Sequence, residues 1–345
     1  MTKFSASKFG SLTHRTFNVK TLCQLIALSA LSSIHVLATD TTGQPLLEYA
    51  EQCKSLIGQI PAFDCRDGTI VPITINGNEP EAYPVDDCDK PSLLIYEGLS
   101  ASSQCSPYSR IHNLSYDEVQ ISAFCRRKYV RPKNDPHFDE IDIILHNVST
   151  GDTCWFHSEL EGPGKEKGID ASRVPPPNEV QAPSGYANSD SFWWSPRSTA
   201  SKECGGCHDA DPFMYSPYIG QVWHEVPTDA FGWYNNHIGP EFSKWEVPKA
   251  IHTRENTCTS CHRIGNLDSC AKGILASTGG YTHTRGGNAF SKRYPNSHWM
   301  PVNNNRSKAF WDQVYQGSLA ALLTCCSDPD NAQCEYSTIR RNPDF

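Results

Sequence analysis

The chain has 345 residues, 20% of them charged, with 24 prolines, 23 glycines and 15 cysteines. That much Pro and Gly rules against a coiled coil or a long-helix bundle and implies many loops around a buried core. A formal net charge of −8 argues against nucleic acid as a partner, because phosphate binding needs the opposite sign.

Residues 1–38 differ from the rest. Lys3, Lys8, Arg15 and Lys20 precede the moderately apolar run "TLCQLIALSALSSIHVLA", and no acid appears before Asp40. The order (positive, apolar, small-residue exit) predicts a secretory signal peptide over 1–38, cleaved near Ala38–Thr39. Gln24, Ser29, Ser32, Ser33 and His35 interrupt the run, which makes it a poor membrane anchor. Cys23 leaves with the signal. No later segment approaches ~18 uninterrupted apolar residues, so no membrane span is expected after cleavage. The expected location is periplasmic or extracellular. Cleavage removes four basic side chains and no acidic one, so the net charge moves from −8 to −12. Such a surface favours a basic redox partner.

The expected fold class is α+β. Residues 39–160 form a β-rich, disulfide-stapled domain. In "QPLLEYAEQCKSLIG", Leu46, Leu47, Ala50, Cys53 and Leu56-Ile57 fit an amphipathic helix. The runs "GTIVPITING", "PSLLIY", "VQISAFC" and "EIDIILHN" read as strands, and Asn76-Gly77 as a tight turn. Residues 161–185, rich in Pro and Gly, read as a linker or a loop pinned over the surface, with an extended Pro175-Pro176-Pro177. Residues 186–345 form a mostly α or irregular domain. Its one long helix is "SKAFWDQVYQGSLAALLTCC", with Ser307 as N-cap and Ala309, Phe310, Val314, Leu319, Leu322 and Leu323 on one face.

Two pentads in this last region share one frame. "CGGCH" holds Cys204, Cys207 and His208, and "CTSCH" holds Cys258, Cys261 and His262. Random placement of this many Cys and His predicts about 0.02 such pentads, so coincidence fails. Setting aside Cys23 and the four frame cysteines leaves ten: Cys53, Cys65, Cys88, Cys105, Cys125, Cys154, Cys270, Cys325, Cys326 and Cys334. An even number in an exported chain suggests up to five disulfides. The adjacent Cys325 and Cys326 should bond to two different partners.

Three chemistries use such a frame. A shared four-thiolate zinc site leaves both histidines without a role. Thiol exchange normally opens a helix in a βαβ unit, which neither frame has. Covalent haem gives both cysteines and the histidine of each frame a role: two thioethers to the porphyrin and the adjacent His as proximal iron ligand. The expected cofactors are therefore two haem c groups, at Cys204/Cys207 with His208 and at Cys258/Cys261 with His262.

On "CGGCH", "CTSCH" and the later "HWMP", about the last 160 residues resemble dihaem c-type cytochromes. The resemblance implies a Met in a Pro-flanked loop as the iron's second axial ligand. Met300, 38 residues after His262, fits that place for the second haem, with His298 and His283 as rivals. For the first haem His224 is favoured, then Met214; His237 and His252 also lie between the frames. Trp193, Trp194, Trp223, Trp233, Trp245, Trp299 and Trp311 offer apolar walls. Arg263, Arg285, Lys292 and Arg293 offer partners for the haem propionates.

The function expected is an exported electron carrier working between redox partner proteins. A peroxidase-like dihaem enzyme is the first alternative. The second is a subunit that self-associates into an extracellular haem chain.

Overall fold

The computed structural model describes residues 43–73, 79, 81, 106–214, 218–227, 232–234, 236–278 and 308–339. The expected strand "PSLLIY", the Asn76-Gly77 turn, Ser307, Cys88 and Cys105 lie outside these residues.

Helix α1 (Leu46–Leu56) opens after Pro45 and buries Leu46, Tyr49, Ala50 and Cys53. These positions fall on one stripe of a 3.6-residue repeat. Leu56, expected in that stripe, is exposed, and Tyr49 takes a place in it. The helix covers a sheet whose first strands are β1 (Thr69–Ile70), β2 (Arg110–Asn113) and β3 (Val119–Arg126). After the short β4 (His137–Phe138) come β5 (Glu140–Asn147) and β6 (Asp152–Glu159). The sheet runs β1-β2-β3-β5-β6 and is antiparallel through these five.

Register follows side-chain alternation. Ile121, Ala123 and Cys125 on β3 face Leu145, Ile143 and Ile141 on β5, and all six are buried. Each buried Ile or Leu contributes on the order of 2 kcal/mol. Disulfides Cys53–Cys154 and Cys65–Cys125 tie α1 and the following turn to this layer.

Segment 161–185 is pinned rather than free. Its short β7 (Ile169–Asp170) pairs with β4, and Val174 bridges Phe63. Trp193 donates to the Pro175 carbonyl at 2.9 Å, and Ser189 donates to that of Pro177. Beyond it lie α2 (Ser189–Phe192), α3 (Pro196–Ala200) and the single turn α4 (Cys204–Cys207). The sheet's sixth strand, β8 (Asn236–His237), comes from this later part and lies parallel to β6. Phe192, Trp193, Tyr234, Ile238, Phe242 and Ile339 join the core begun by α1 and the sheet.

The rest of the chain was expected to be short helices and loops. It also holds a two-stranded antiparallel sheet, β9 (Lys249–Thr253) with β10 (Cys334–Thr338). A short helix α5 (Ile274–Ser277) precedes the long α6 (Lys308–Ser327). Ile251, Cys270, Leu322 and Cys325 form a local core there. Cys325 bonds Cys334 and Cys326 bonds Cys270, so the adjacent pair does point to two partners. The buried face of α6 is Trp311, Leu319, Leu322 and Cys325, whereas Phe310 and Val314 are exposed. Burying the large indole and fixing two disulfides at one end set the helix rotation.

A charged cluster lies on the sheet. The Lys128 ammonium sits 2.5 Å from both Glu140 and Glu159, and the His157 ring meets Asp142 at 2.7 Å. Burial raises the Asp142 carboxyl, as does the Glu140 charge. Burial alone would lower His157, but its bonds to Asp142 and Glu159 outweigh that and hold it at about 9. A folded value above the unfolded ~6.5 means that protonated His157 stabilises fully below that pH. The stabilisation fades as pH rises and is gone above about 9. Urea midpoints of the native chain should therefore fall between pH 6.5 and 9.5 by the equivalent of about 3 kcal/mol. His157→Gln should remove most of that slope, and an unchanged slope would assign it to other groups.

Candidate functional site

Both frames are built on the same backbone turn. The His208 amide donates to the Cys204 carbonyl at 2.9 Å, and the His262 amide to the Cys258 carbonyl at 2.9 Å. Each turn brings its two cysteines and its histidine onto one short arc of chain.

The first frame is set by what precedes it. Ser195 caps α3 by accepting from the Ser198 amide at 3.2 Å. Glu203 then takes a left-handed conformation, φ +53°, rare for a non-glycine residue. This turns the chain into α4. Gly205 lies under Trp245, where a Cβ would come within 2.7 Å of the indole. Trp245 in turn donates to the Ala200 carbonyl at 2.9 Å. Cys204 packs against the main core, and burial pushes its thiol up to about 12.

His208 is the most defined group of the site. Its Nδ1 lies 2.8 Å from the Pro212 carbonyl. A carbonyl only accepts, so Nδ1 carries the proton and Nε2 presents a lone pair. Nε2 has no hydrogen-bond partner among the described residues. Burial lowers the His208 pKa to about 4, so the ring is neutral at pH 7. Trp155 meets its edge at 5.3 Å between ring centroids, and the Tyr234 hydroxyl donates to its carbonyl at 2.5 Å.

Asn256 organises the second frame. Its Oδ1 accepts from the Cys258 and Thr259 amides at 2.9 and 3.3 Å. Its Nδ2 donates to Thr253 Oγ1 at 2.7 Å and to the Ser318 carbonyl at 2.9 Å. One buried amide thus fastens the frame to β9 and α6. This frame is more open than the first, with Cys261 and His262 exposed. His262 lines a cleft of about 170 Å³ with Trp233, His252, Arg263, Ser337 and Ile339. That is below the roughly 300–1,000 Å³ of common ligand pockets, so the cleft alone does not enclose a macrocycle.

The other candidates are placed unevenly. Met300, His298, His283, Trp299, Arg285, Lys292 and Arg293 lie outside the described residues. His224 is exposed and pairs with Glu225 at 3.4 Å, on a 3-10 segment (Ile219–Glu225) whose buried side meets Val71 and Ile111. Met214 is 42% exposed. The structure brings neither into contact with His208. His237 comes nearer, through Trp155: its Nδ1 accepts from the Trp155 indole at 3.2 Å. That bond places the ring proton on Nε2, which removes the lone pair a metal would need. His252 Nε2 pairs with Ser337 Oγ at 2.7 Å.

Arg263, one of the cations offered to a propionate, donates to the Ala210 and Gly232 carbonyls. Trp193 and Trp311 are buried in the polypeptide's own core clusters. Trp155 was not singled out for the site at all. Only the pairing of β6 with β5 and β8 brings it beside His208, and nothing local in "DTCWFHSE" signals that.

Among the described residues all four frame cysteines remain thiols, whereas the other eight are in disulfides. No three His, Cys, Asp or Glu side chains converge there in a metal-binding group. A thiol raised to about 12 is also the reverse of a thiol-exchange nucleophile, whose pKa is lowered. Among the described residues no helix is long and apolar enough to cross a membrane. Comparison with family models, with curated proteins and with solved structures finds no match.

Proposed function

We propose that this chain is an exported carrier of electrons that holds two covalent haems, one at Cys204 and Cys207 and one at Cys258 and Cys261. The observation that carries the reading is His208, whose Nδ1 proton is fixed on the Pro212 carbonyl while Nε2 is left as a neutral donor. Metal-ligating histidines are commonly oriented by such a bond on the far nitrogen. Retained thiols at both frames support it further, since thioether formation consumes thiols and a disulfide would block it.

When bound, the haem iron supplies reversible one-electron chemistry. The chain's own residues do the remaining work. Cys204 and Cys207 would anchor the first group, and His208 would hold its iron. Trp155 covers that histidine's edge. Cys258, Cys261 and His262 repeat the arrangement on a more open surface. Met300 and His298 remain the proposed second ligands at that frame, and His224 and Met214 at the first. The acidic balance of the chain suits basic redox proteins as partners.

Ligand binding separates a carrier from a peroxidase-like enzyme. A carrier with both irons six-coordinate is expected to show low-spin spectra, no shift on adding carbon monoxide and no peroxide turnover. A high-spin iron that binds carbon monoxide would move the assignment to the enzyme.

A further inference from the structure

The chain segments that follow the two histidines are locked to each other. Asp209, directly after His208, is fully buried and accepts from the Leu267 amide at 2.7 Å. Arg263, directly after His262, reaches the other way. Its Nε donates to the Ala210 carbonyl at 2.5 Å, and its terminal nitrogen lies 3.7 Å from Asp211. Another guanidinium nitrogen donates to the Gly232 carbonyl at 2.6 Å. Each frame therefore sends one side chain into the loop that follows the other.

The fit is tight at one glycine. A Cβ on Gly265 would lie 2.2 Å from the Asp209 Cγ, so only glycine lets the second loop close over that carboxylate. Cys207 adds a weaker contact, its sulfur 3.8 Å from Asp268. The loop that Arg263 holds, 210–212, also carries the Pro212 carbonyl that orients His208. One Arg side chain, one hydrogen bond and two residues of backbone separate the histidines, which bounds their Cα atoms to on the order of 20 Å.

From this reciprocal brace we infer that the frames form one rigid unit, with Arg263 and Asp209 as positioning residues that fix the two prosthetic groups as an interacting pair. The inference rests on the proposed function and goes beyond it, since two haems on independent loops would also carry electrons. Arg263 has a second consequence. By holding the 210–212 loop it sets the orientation of a ligand histidine that belongs to the other frame.

Circular dichroism at the haem Soret band tests this on the purified holoprotein, because two porphyrins at fixed distance and angle give a two-signed couplet. Haem content per chain is measured on the same samples. The native protein is expected to carry two haems and a strong couplet. Arg263→Gln and, separately, Gly265→Ala are expected to keep two haems and lose the couplet at least threefold. Hydrogen exchange gives a reading independent of the haems: the Leu267 amide should exchange at least tenfold faster in Gly265→Ala, where Asp209 is displaced. If Arg263→Gln does not accumulate, Arg263→Lys is expected to give an intermediate amplitude. A full couplet in a two-haem variant, a native two-haem protein without a couplet, or loss of one haem in Arg263→Gln would overturn the inference. A native protein without haem overturns the proposed function itself, and the haem content distinguishes that outcome from the others.

Discussion

Replacing Cys53 and Cys154 together by Ala is expected to lower the unfolding free energy by about 4 kcal/mol. The two are 101 residues apart in sequence, and a cross-link closing a loop of that length removes the most entropy from the unfolded chain. The bond also fastens α1 to β6, and both cysteines are buried. Deleting their sulfurs leaves small voids where α1 meets the sheet. The Tyr49 hydroxyl, which accepts from the Trp155 amide at 2.9 Å, depends on that docking, so loosening α1 should reach the residue that borders His208. Urea denaturation under non-reducing conditions measures the cost. A loss below about 1 kcal/mol would mean that packing alone holds α1.

Removing the anchoring thiols should have the largest effect on the cofactor. Cys204→Ala with Cys207→Ala is expected to halve the covalently bound haem, and Cys258→Ala with Cys261→Ala, in a separate variant, to halve it likewise. The first pair should also lower Tm more than the second. Cys204 packs against the main core beside the buried Gly205, whereas Cys261 is exposed. A haem held at the first frame would thus be integrated with the core, and one at the second frame would sit nearer the surface. Haem content and thermal unfolding of the two double variants check both statements. An unchanged haem content in either variant would remove that frame from the assignment.

Some of this architecture is legible in the residues and some is not. Helix α1 and strands β3 and β5 carry clean periods, because each buries one face. The opposite bonding of Cys325 and Cys326 follows from local geometry alone. Strand β6 escaped notice because Asp152 through Ser158 are all buried, so no polar face marks it. Its polar side chains find partners across the sheet, as His146 meets Thr153 at 2.9 Å and Asp142 meets His157. The burial of α6 was misread at Phe310 and Val314, since the helical stripe in "KAFWDQVY" can be drawn through either Phe310 or Trp311. Docking against β9 and the disulfides decides between them.

The frames themselves are the most legible feature. The sequence carries the six reactive residues of the two frames, and folding adds what no spacing contains: the Pro212 carbonyl behind His208, the Trp155 edge beside it and the brace from Arg263 to Ala210. Arg263, one of four cations the sequence offers to a propionate, donates to two backbone carbonyls, and only tertiary structure brings Ala210 and Gly232 within its reach.

Covalent haem content of the native protein tests the central claim most directly. The purified chain is denatured, freed of non-covalent cofactor by acid–organic extraction, and assayed by reduced pyridine spectrum against polypeptide concentration. Two haems per chain that resist extraction is the result expected from thioether attachment at Cys204, Cys207, Cys258 and Cys261. A chain with no retained haem and four titratable thiols would contradict the account.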